Sequence, residues 1–172
     1  MPLLRELRYP LTAETAPQLA DGCRIGLLVV ASAAVNAGAR PGLPAPCVRF
    51  TVFVTEGALT RLPIPQLRAV LAHELGHVHL GHFAQRQARQ TAGGPASWWI
   101  FRRAYDRDEE LAADTFAAGL LLGLEDHYPG SCIALVLLLE ALADGRAGRA
   151  EWLSTHPAPA RRAERLHAAC DA

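Results

Sequence analysis

One helical segment constrains this chain more than any other feature, because it combines an apolar stripe with closely spaced polar residues. Between Ile64 and His82 the apolar residues recur at helical spacing and form one apolar face. The residues of this face are Leu67, Val70, Leu71, Leu75 and Val78. His73, Glu74 and His77 lie in the same segment in the pattern H-E-x-x-H. A helix that only packs against a core needs no such polar residues, so the pattern favours a functional site.

The two histidines of this pattern predict a metal site. Four residues apart on a helix, they lie on one face and one turn apart, so both imidazoles can bind one metal ion at ~2.0–2.1 Å. Glu74 projects at a different angle, from which its carboxylate can reach a water bound to the metal. The pattern therefore predicts one Zn²⁺ per chain, with Glu74 as the general base that deprotonates the water.

A catalytic zinc site needs a third protein ligand, and the segment EELAADTFA at residues 109–117 contains the best candidate. Glu110 and Asp114 are four residues apart on a predicted helix and share a face. Glu110 can therefore bind the metal while Asp114 accepts the ring N–H of His73, which fixes the tautomer of that ligand. Glu109 is the alternative ligand, because the helix face that meets the metal decides which carboxylate binds.

Two further histidines of the catalytic segment are weaker candidates for the third ligand. His79 lies two residues after His77 and therefore points to another face of the helix. His82 is one residue out of register for the histidine that follows H-E-x-x-H in metzincins.

The remaining sequence predicts a single α+β domain over residues 1–172. Ile25–Val30 is a short, β-branched apolar run typical of a buried strand, and Val48–Val54 alternates as a half-buried strand does. The Gly- and Pro-rich segment Asn36–Pro46 between them predicts a loop. Other predicted segments are helices at Thr12–Ala20, Asp106–Gly123, Cys132–Ala143 and Ala160–Ala169 and a polar connection at Gln85–Ser97.

Composition narrows the classes of function. The chain has 17 basic and 17 acidic residues, and this neutrality argues against a nucleic-acid partner recognised through net charge. Its longest apolar runs, Ile25–Ala39 and Cys132–Leu139, are too short for a transmembrane segment, which needs ~20 residues. The N-terminal residues carry charges where a signal peptide is apolar, so a cytoplasmic location is expected. Free thiols are then expected at Cys23, Cys47, Cys132 and Cys170.

Four segments, taken in order, resemble one family of zinc peptidases. They are VNAGARPG with VFVTEGAL (35–42 and 52–59), LRAVLAHELGHVHLGH (67–82), EELAADTFA (109–117) and STHPAPARRAERL (154–166). Together they resemble the small gluzincin metallopeptidases that include HtpX-type proteases and type-1 CAAX prenyl endopeptidases. The resemblance extends over about residues 29–166.

This resemblance implies a small zincin-like α+β domain, with a short mixed sheet that has an edge strand, followed by about four helices. The strand Val48–Val54 would be that edge strand, and an extended peptide or protein substrate would pair with its main chain. Asn36, Ala37 and Val52 would line the substrate groove. No transmembrane helix is predicted here, unlike in the membrane members of the family, so their substrates are not carried over.

The last of the four segments implies two further site residues. His156 would stabilise the oxyanion of the tetrahedral intermediate, and Arg162 would support it electrostatically, with Arg161 as the alternative arginine. The apolar segment Trp98–Phe101 between the two site helices could cover the core, line the cleft, contact a membrane surface or lie in an oligomer interface.

Three other functions are compatible with these residues. An ImmA/IrrE-type regulatory protease shares H-E-x-x-H and a helix similar to residues 110–118. A processing enzyme with one dedicated substrate would show no activity on generic proteins. A non-catalytic zinc-binding module would bind metal without hydrolysing anything.

Overall fold

The computed structural model describes residues 24–42, 48–83, 85, 107–145, 156 and 158–171. Several predicted features lie outside these residues. They are the helix at Thr12–Ala20, Cys23 and Cys47, the segment Trp98–Phe101, and the polar connection beyond Gln85.

The described residues form a mixed three-stranded sheet and five helices, which confirms the predicted α+β fold class. The strands are β1 (Arg24–Val30), β2 (Ala37–Pro41) and β3 (Val48–Thr55). Their order in the sheet is β1-β3-β2, with β1 parallel and β2 antiparallel to β3. The two strands predicted from apolar patterning are β1 and β3.

The helices follow the sheet along the chain. They are α1 (Glu56–Arg61), α2 (Ile64–His79), α3 (Arg107–Leu122), α4 (Ser131–Ala143) and α5 (Pro159–Cys170). The last four begin and end within three residues of the predicted bounds. α1 was not predicted, because six residues are too few to show helical periodicity; the Thr55 hydroxyl caps it by accepting the N–H of Ala58 at 3.2 Å. None of the described helices is long and apolar enough to cross a membrane.

The predicted apolar face of α2 forms the centre of the core. All five of its residues are buried, and α2 packs against α3, α4 and β2. α4, the most apolar helix, packs in turn against α5. The helix that carries H-E-x-x-H is therefore held on several sides, and its polar residues are carried into the interior with it.

The prediction of a loop over Asn36–Pro46 is wrong in part, because β2 lies inside that segment. β2 pairs with β3 from Ala37 opposite Val54 to Pro41 opposite Phe50. Gly38 leaves room for the Phe53 ring, since a Cβ there would lie 2.5 Å from ring carbon Cε1. A proline is tolerated in an edge strand, so tertiary pairing overrides the turn-forming composition.

The prediction that Val48–Val54 is an edge strand is also wrong. The main chain of β3 is paired with β1 on one side and with β2 on the other. Val52 is fully buried between them, so it cannot line a substrate groove at a sheet edge. Among the described residues β1 and β2 form the two edges of the sheet, and β2 packs against α2.

The close approach of α2 and α3 depends on Gly76. A Cβ on this residue would lie 2.9 Å from the carbonyl oxygen of Ala113 and 3.1 Å from its Cα. We expect Gly76→Ala to lower the free energy of unfolding by about 1–3 kcal/mol, since overpacking outweighs the better helix propensity of alanine. Urea unfolding followed by circular dichroism measures this change.

Gly119 in α3 is the matched control, because a Cβ there would meet no atom within 4 Å. Gly119→Ala is expected to raise the free energy of unfolding by up to about 1 kcal/mol through helix propensity alone. Equal effects of the two substitutions would contradict the packing argument.

The expectation of free thiols is wrong for two of the four cysteines. Cys132 at the start of α4 and Cys170 at the end of α5 form a disulfide, with their Cα atoms 5.6 Å apart. The 38 residues between them in sequence hide this proximity, which arises only when α4 and α5 pack together.

Candidate metal centre

Four buried side chains from three parts of the chain meet between α2 and α3. α2 contributes His73 and His77, α3 contributes Glu110, and His156 precedes α5. Each residue offers one potential ligand atom, and these four atoms all lie within 4.8 Å of one another. Glu109 is not part of this group, so of the two carboxylates that the sequence left open, the structure places Glu110 with the histidines.

The distances between the ligand atoms are short. Nε2 of His73 lies 3.0 Å from Nε2 of His77 and 3.2 Å from Nδ1 of His156. The Oε1 atom of Glu110 lies 3.3 Å from Nε2 of His77 and 2.9 Å from Nδ1 of His156. The helical spacing of the histidines and the close approach at Gly76 produce this convergence.

Asp114 contacts His73, which is the pairing that the sequence predicts. One turn after Glu110 on α3, its Oδ1 lies 2.8 Å from Nδ1 of His73, on the side of the ring away from the ligand atoms. If Nδ1 donates its hydrogen to this carboxylate, Nε2 keeps a lone pair that faces the other three side chains.

Arg162 from α5 lies against both carboxylates. Its Nε and NH2 groups donate to Oδ2 and Oδ1 of Asp114 at 2.7 and 2.8 Å, and its NH1 lies 2.7 Å from Oε2 of Glu110. The Arg162 side chain is 2% exposed, whereas the neighbouring Arg161 is exposed. The structure therefore brings Arg162, and not Arg161, to the site.

The pKa values of the site groups are shifted in different ways by burial and by hydrogen bonds. Burial raises the pKa of Asp114, but hydrogen bonds from Arg162 and His73 outweigh it and hold the pKa below its ordinary value. Burial likewise opposes ionisation of Glu110, while hydrogen bonds from His156, His73 and His77 lower its pKa. Burial lowers the pKa of His77 to about 2, so this imidazole is neutral and its lone pair is available.

His73 differs from His77 in its ionisation. Burial and the charge of Arg162 lower its pKa, but hydrogen bonds to Asp114 and Glu110 outweigh them and raise the pKa to about 9. A metal ion that binds Nε2 of His73 must therefore displace a proton at neutral pH, so metal affinity falls as the pH falls.

His82 is a site residue that sequence reasoning missed. α2 ends at His79, and Gly81 then adopts a left-handed conformation with φ +68°. This reversal places Nδ1 of the buried His82 2.8 Å from Nδ1 of His77. His82 is therefore no ligand but contacts the far side of a candidate ligand, as Asp114 does for His73. A glycine one residue before a histidine is the only sequence signal for this turn.

Glu74 lies inside the same buried region without joining the ligand group. It is fully buried, and its Oε1 lies 3.3 Å from Nε2 of His156. One imidazole thus bridges the candidate base Glu74 and the candidate ligand Glu110, which its Nδ1 contacts. Of the other predicted groove residues, Asn36 directly precedes the edge strand β2, and Ala37 begins it but is buried in the core.

The donor set fits a metal ion. Nε2 of His73 faces the ligand atoms of His77, Glu110 and His156 at 3.0–3.5 Å. A single proton can bridge only one of these pairs at a time, whereas a cation among them would satisfy all four. Imidazole nitrogens and a carboxylate oxygen are ligands that zinc takes in proteins.

Comparison with known proteins agrees with a hydrolytic site. A family model for peptidases matches residues 42–171, which is more than half of the chain, and this supports a peptidase. The chain belongs to the Peptidase U49 family. No curated protein matches the chain significantly. The finer resemblance to HtpX-type and CAAX endopeptidases is not confirmed by this match and stays a prediction.

Proposed function

We propose that the chain is a zinc-dependent endopeptidase of the gluzincin type. The observation that carries this proposal is the buried convergence of His73, His77 and Glu110 beside the carboxylate of Glu74, in a member of a peptidase family. Peptide hydrolysis by this chemistry needs a metal site and a base, and these four side chains offer both.

His73, His77 and Glu110 would hold the zinc ion. When bound, zinc activates water as a nucleophile and polarises the carbonyl of the scissile peptide bond. The chain's own contribution begins with the orientation of these ligands. Asp114 acts on His73 and His82 acts on His77, each by a contact of 2.8 Å to the far ring nitrogen. Such contacts keep the lone pairs of the ligands directed at one point.

Glu74 would be the general base. Its carboxylate would accept a proton from the attacking water and then give it to the leaving amine. His156 would donate a hydrogen bond to the oxyanion of the substrate. Arg162 would be a positioning residue, since its guanidinium contacts Asp114 and Glu110.

The substrate would be an extended peptide that pairs with β2. This edge strand packs against α2 and begins next to Asn36, so a peptide added there would run beside the helix that carries H-E-x-x-H. Main-chain pairing of this kind explains how a peptidase can bind substrates of varied sequence.

Removal of the metal tests the zinc assignment. Purified protein is expected to contain about one zinc per chain by elemental analysis, because the cluster offers one group of ligands. A chelator should abolish hydrolysis of casein or of a peptide library, and one equivalent of zinc should restore it. Full activity after the zinc has been removed would contradict the proposal.

One observation favours a second candidate, a zinc-binding module without activity. His156 brings a fourth protein donor to the cluster, and zinc sites with four protein ligands are characteristically structural. Zinc content without hydrolysis of any peptide in the library would support this alternative.

A further inference from the structure

His156 lies closer to the metal ligands than an oxyanion-binding residue needs to. Its Nδ1 is 3.2 Å from Nε2 of His73 and 2.9 Å from Oε1 of Glu110. Both partners are themselves candidate metal ligands. The imidazole therefore lies where it can itself contact a metal ion held by these two residues.

The distances between the ligand atoms are similar to those between the four ligands of a tetrahedral zinc ion. Ligand atoms arranged tetrahedrally at ~2.0–2.1 Å from zinc lie about 3.3 Å from one another. Nε2 of His73 is 3.0 Å from Nε2 of His77 and 3.2 Å from Nδ1 of His156. The Glu110 carboxylate lies 2.9 Å from His156, 3.3 Å from His77 and 3.5 Å from His73. Five of the six separations between these residues, counted to either oxygen of Glu110, are thus close to the tetrahedral value, so the four side chains together can supply a complete coordination sphere.

The contact made by the second ring nitrogen of His156 indicates which tautomer of this imidazole can bind a metal. Its Nε2 lies 3.3 Å from Oε1 of Glu74, and both side chains are buried. If Nε2 carries the proton and donates it to this carboxylate, Nδ1 has the free lone pair that a metal ligand requires. The His156 imidazole would then offer Nδ1 to the metal and donate a hydrogen bond through Nε2 to Glu74, the candidate general base.

We propose that His156 is a fourth protein ligand that closes the metal site of the resting enzyme. The inference depends on the metal site of the proposed function and adds a latent state to it. For hydrolysis His156 would have to leave the ligand group. The neutral imidazole would keep its Nε2 proton as it leaves, and the Glu74 carboxylate would be released to act as base. The same imidazole is then free to donate to the substrate oxyanion.

The backbone beside His156 is held in an unfavourable conformation. Ala158, two residues later and directly before Pro159, has φ +59° and ψ +51° without being glycine. A left-handed conformation costs an L-residue roughly 1–2 kcal/mol. The turn into α5, two residues after His156, is therefore strained.

Cobalt substitution tests the proposal without measuring catalysis. Wild-type protein loaded with Co²⁺ should show the intense visible absorption of a four-coordinate site and should not respond to azide. His156→Ala should bind azide with a shift of this spectrum, and its zinc affinity in a chelator competition should fall at least about tenfold. His127→Ala, which changes an exposed histidine, is the control and should match the wild type.

The wild-type azide titration needs no variant, so the proposal can be tested even if His156→Ala does not fold. An azide response in wild-type protein, or a zinc affinity changed less than twofold in a folded His156→Ala, overturns the fourth ligand. An open site with peptide hydrolysis would refute this inference alone. A closed site without hydrolysis under any condition would refute the proposed peptidase mechanism and leave the fourth ligand intact. Failure to bind either metal would refute both.

Discussion

Glu74→Gln is expected to abolish peptide hydrolysis while the zinc stays bound. The carboxylate is buried beside the ligand group without being part of it, and glutamine has nearly the same volume. It can donate to a neighbour but cannot accept the proton of the attacking water. General-base catalysis contributes about 10²–10⁴-fold, so kcat should fall by that factor. Hydrolysis of peptides that the wild type cleaves, together with zinc content, measures both effects.

The control for this variant is Glu56→Gln. Glu56 is an exposed residue in the first turn of α1, so its substitution should change neither activity nor zinc content measurably. If Glu74→Gln cleaves as fast as the wild type, Glu74 is not the base. If it loses zinc, the carboxylate must be reassigned as a ligand.

Arg162→Leu is expected to cause the largest loss of stability. The buried guanidinium contacts Asp114 through two nitrogens and Glu110 through the third. Without it, two buried carboxylates lose the cationic partner that contacts both, and removing one partner of such a group costs about 3–5 kcal/mol. Urea unfolding with a chelator present measures the free energy of unfolding without a contribution from metal binding.

The loss caused by Arg162→Leu should depend on pH. In the wild type burial raises the pKa of Asp114, but hydrogen bonds from Arg162 and His73 outweigh it and hold this pKa below that of the unfolded chain. The stability that this provides is complete above about pH 5 and is lost as the pH falls through about 4 toward the lowered value. The difference between variant and wild type should therefore shrink in acid.

Arg161→Ala is the matched control for Arg162→Leu, because Arg161 is the preceding, exposed residue of the same helix. Its free energy of unfolding should stay within about 0.5 kcal/mol of the wild type. A loss as large as that of Arg162→Leu would mean that helix propensity or net charge, and not the buried ion pairs, sets the stability.

Much of the site could be predicted because it depends on helical periodicity. The spacing of His73 and His77, and of Glu110 and Asp114, determines which side chains share a helix face. The spacing could not decide between Glu110 and Glu109 or between Arg162 and Arg161. Neighbouring residues differ by about 100° around a helix, so packing against a second element decides which of them points inward.

The sheet was harder to predict because its order depends on contacts between distant residues. The glycine and proline residues of 36–46 are typical of a loop, so the sequence does not reveal β2. This segment is a strand because it pairs with β3. An apolar alternating strand looks the same in the centre and at the edge of a sheet. The edge position expected for β3 was therefore wrong, although its bounds were nearly right.

The sequence by itself determined the α+β class, four of the helices and a candidate metal site on two of them, because these follow from local spacing. Only the tertiary structure decided that His82 supports His77, that Cys132 and Cys170 are joined, and that His156 enters the ligand group. Each of these contacts joins residues across a turn or between separate helices. Their distances depend on how the helices pack against one another, which local spacing along the chain does not encode.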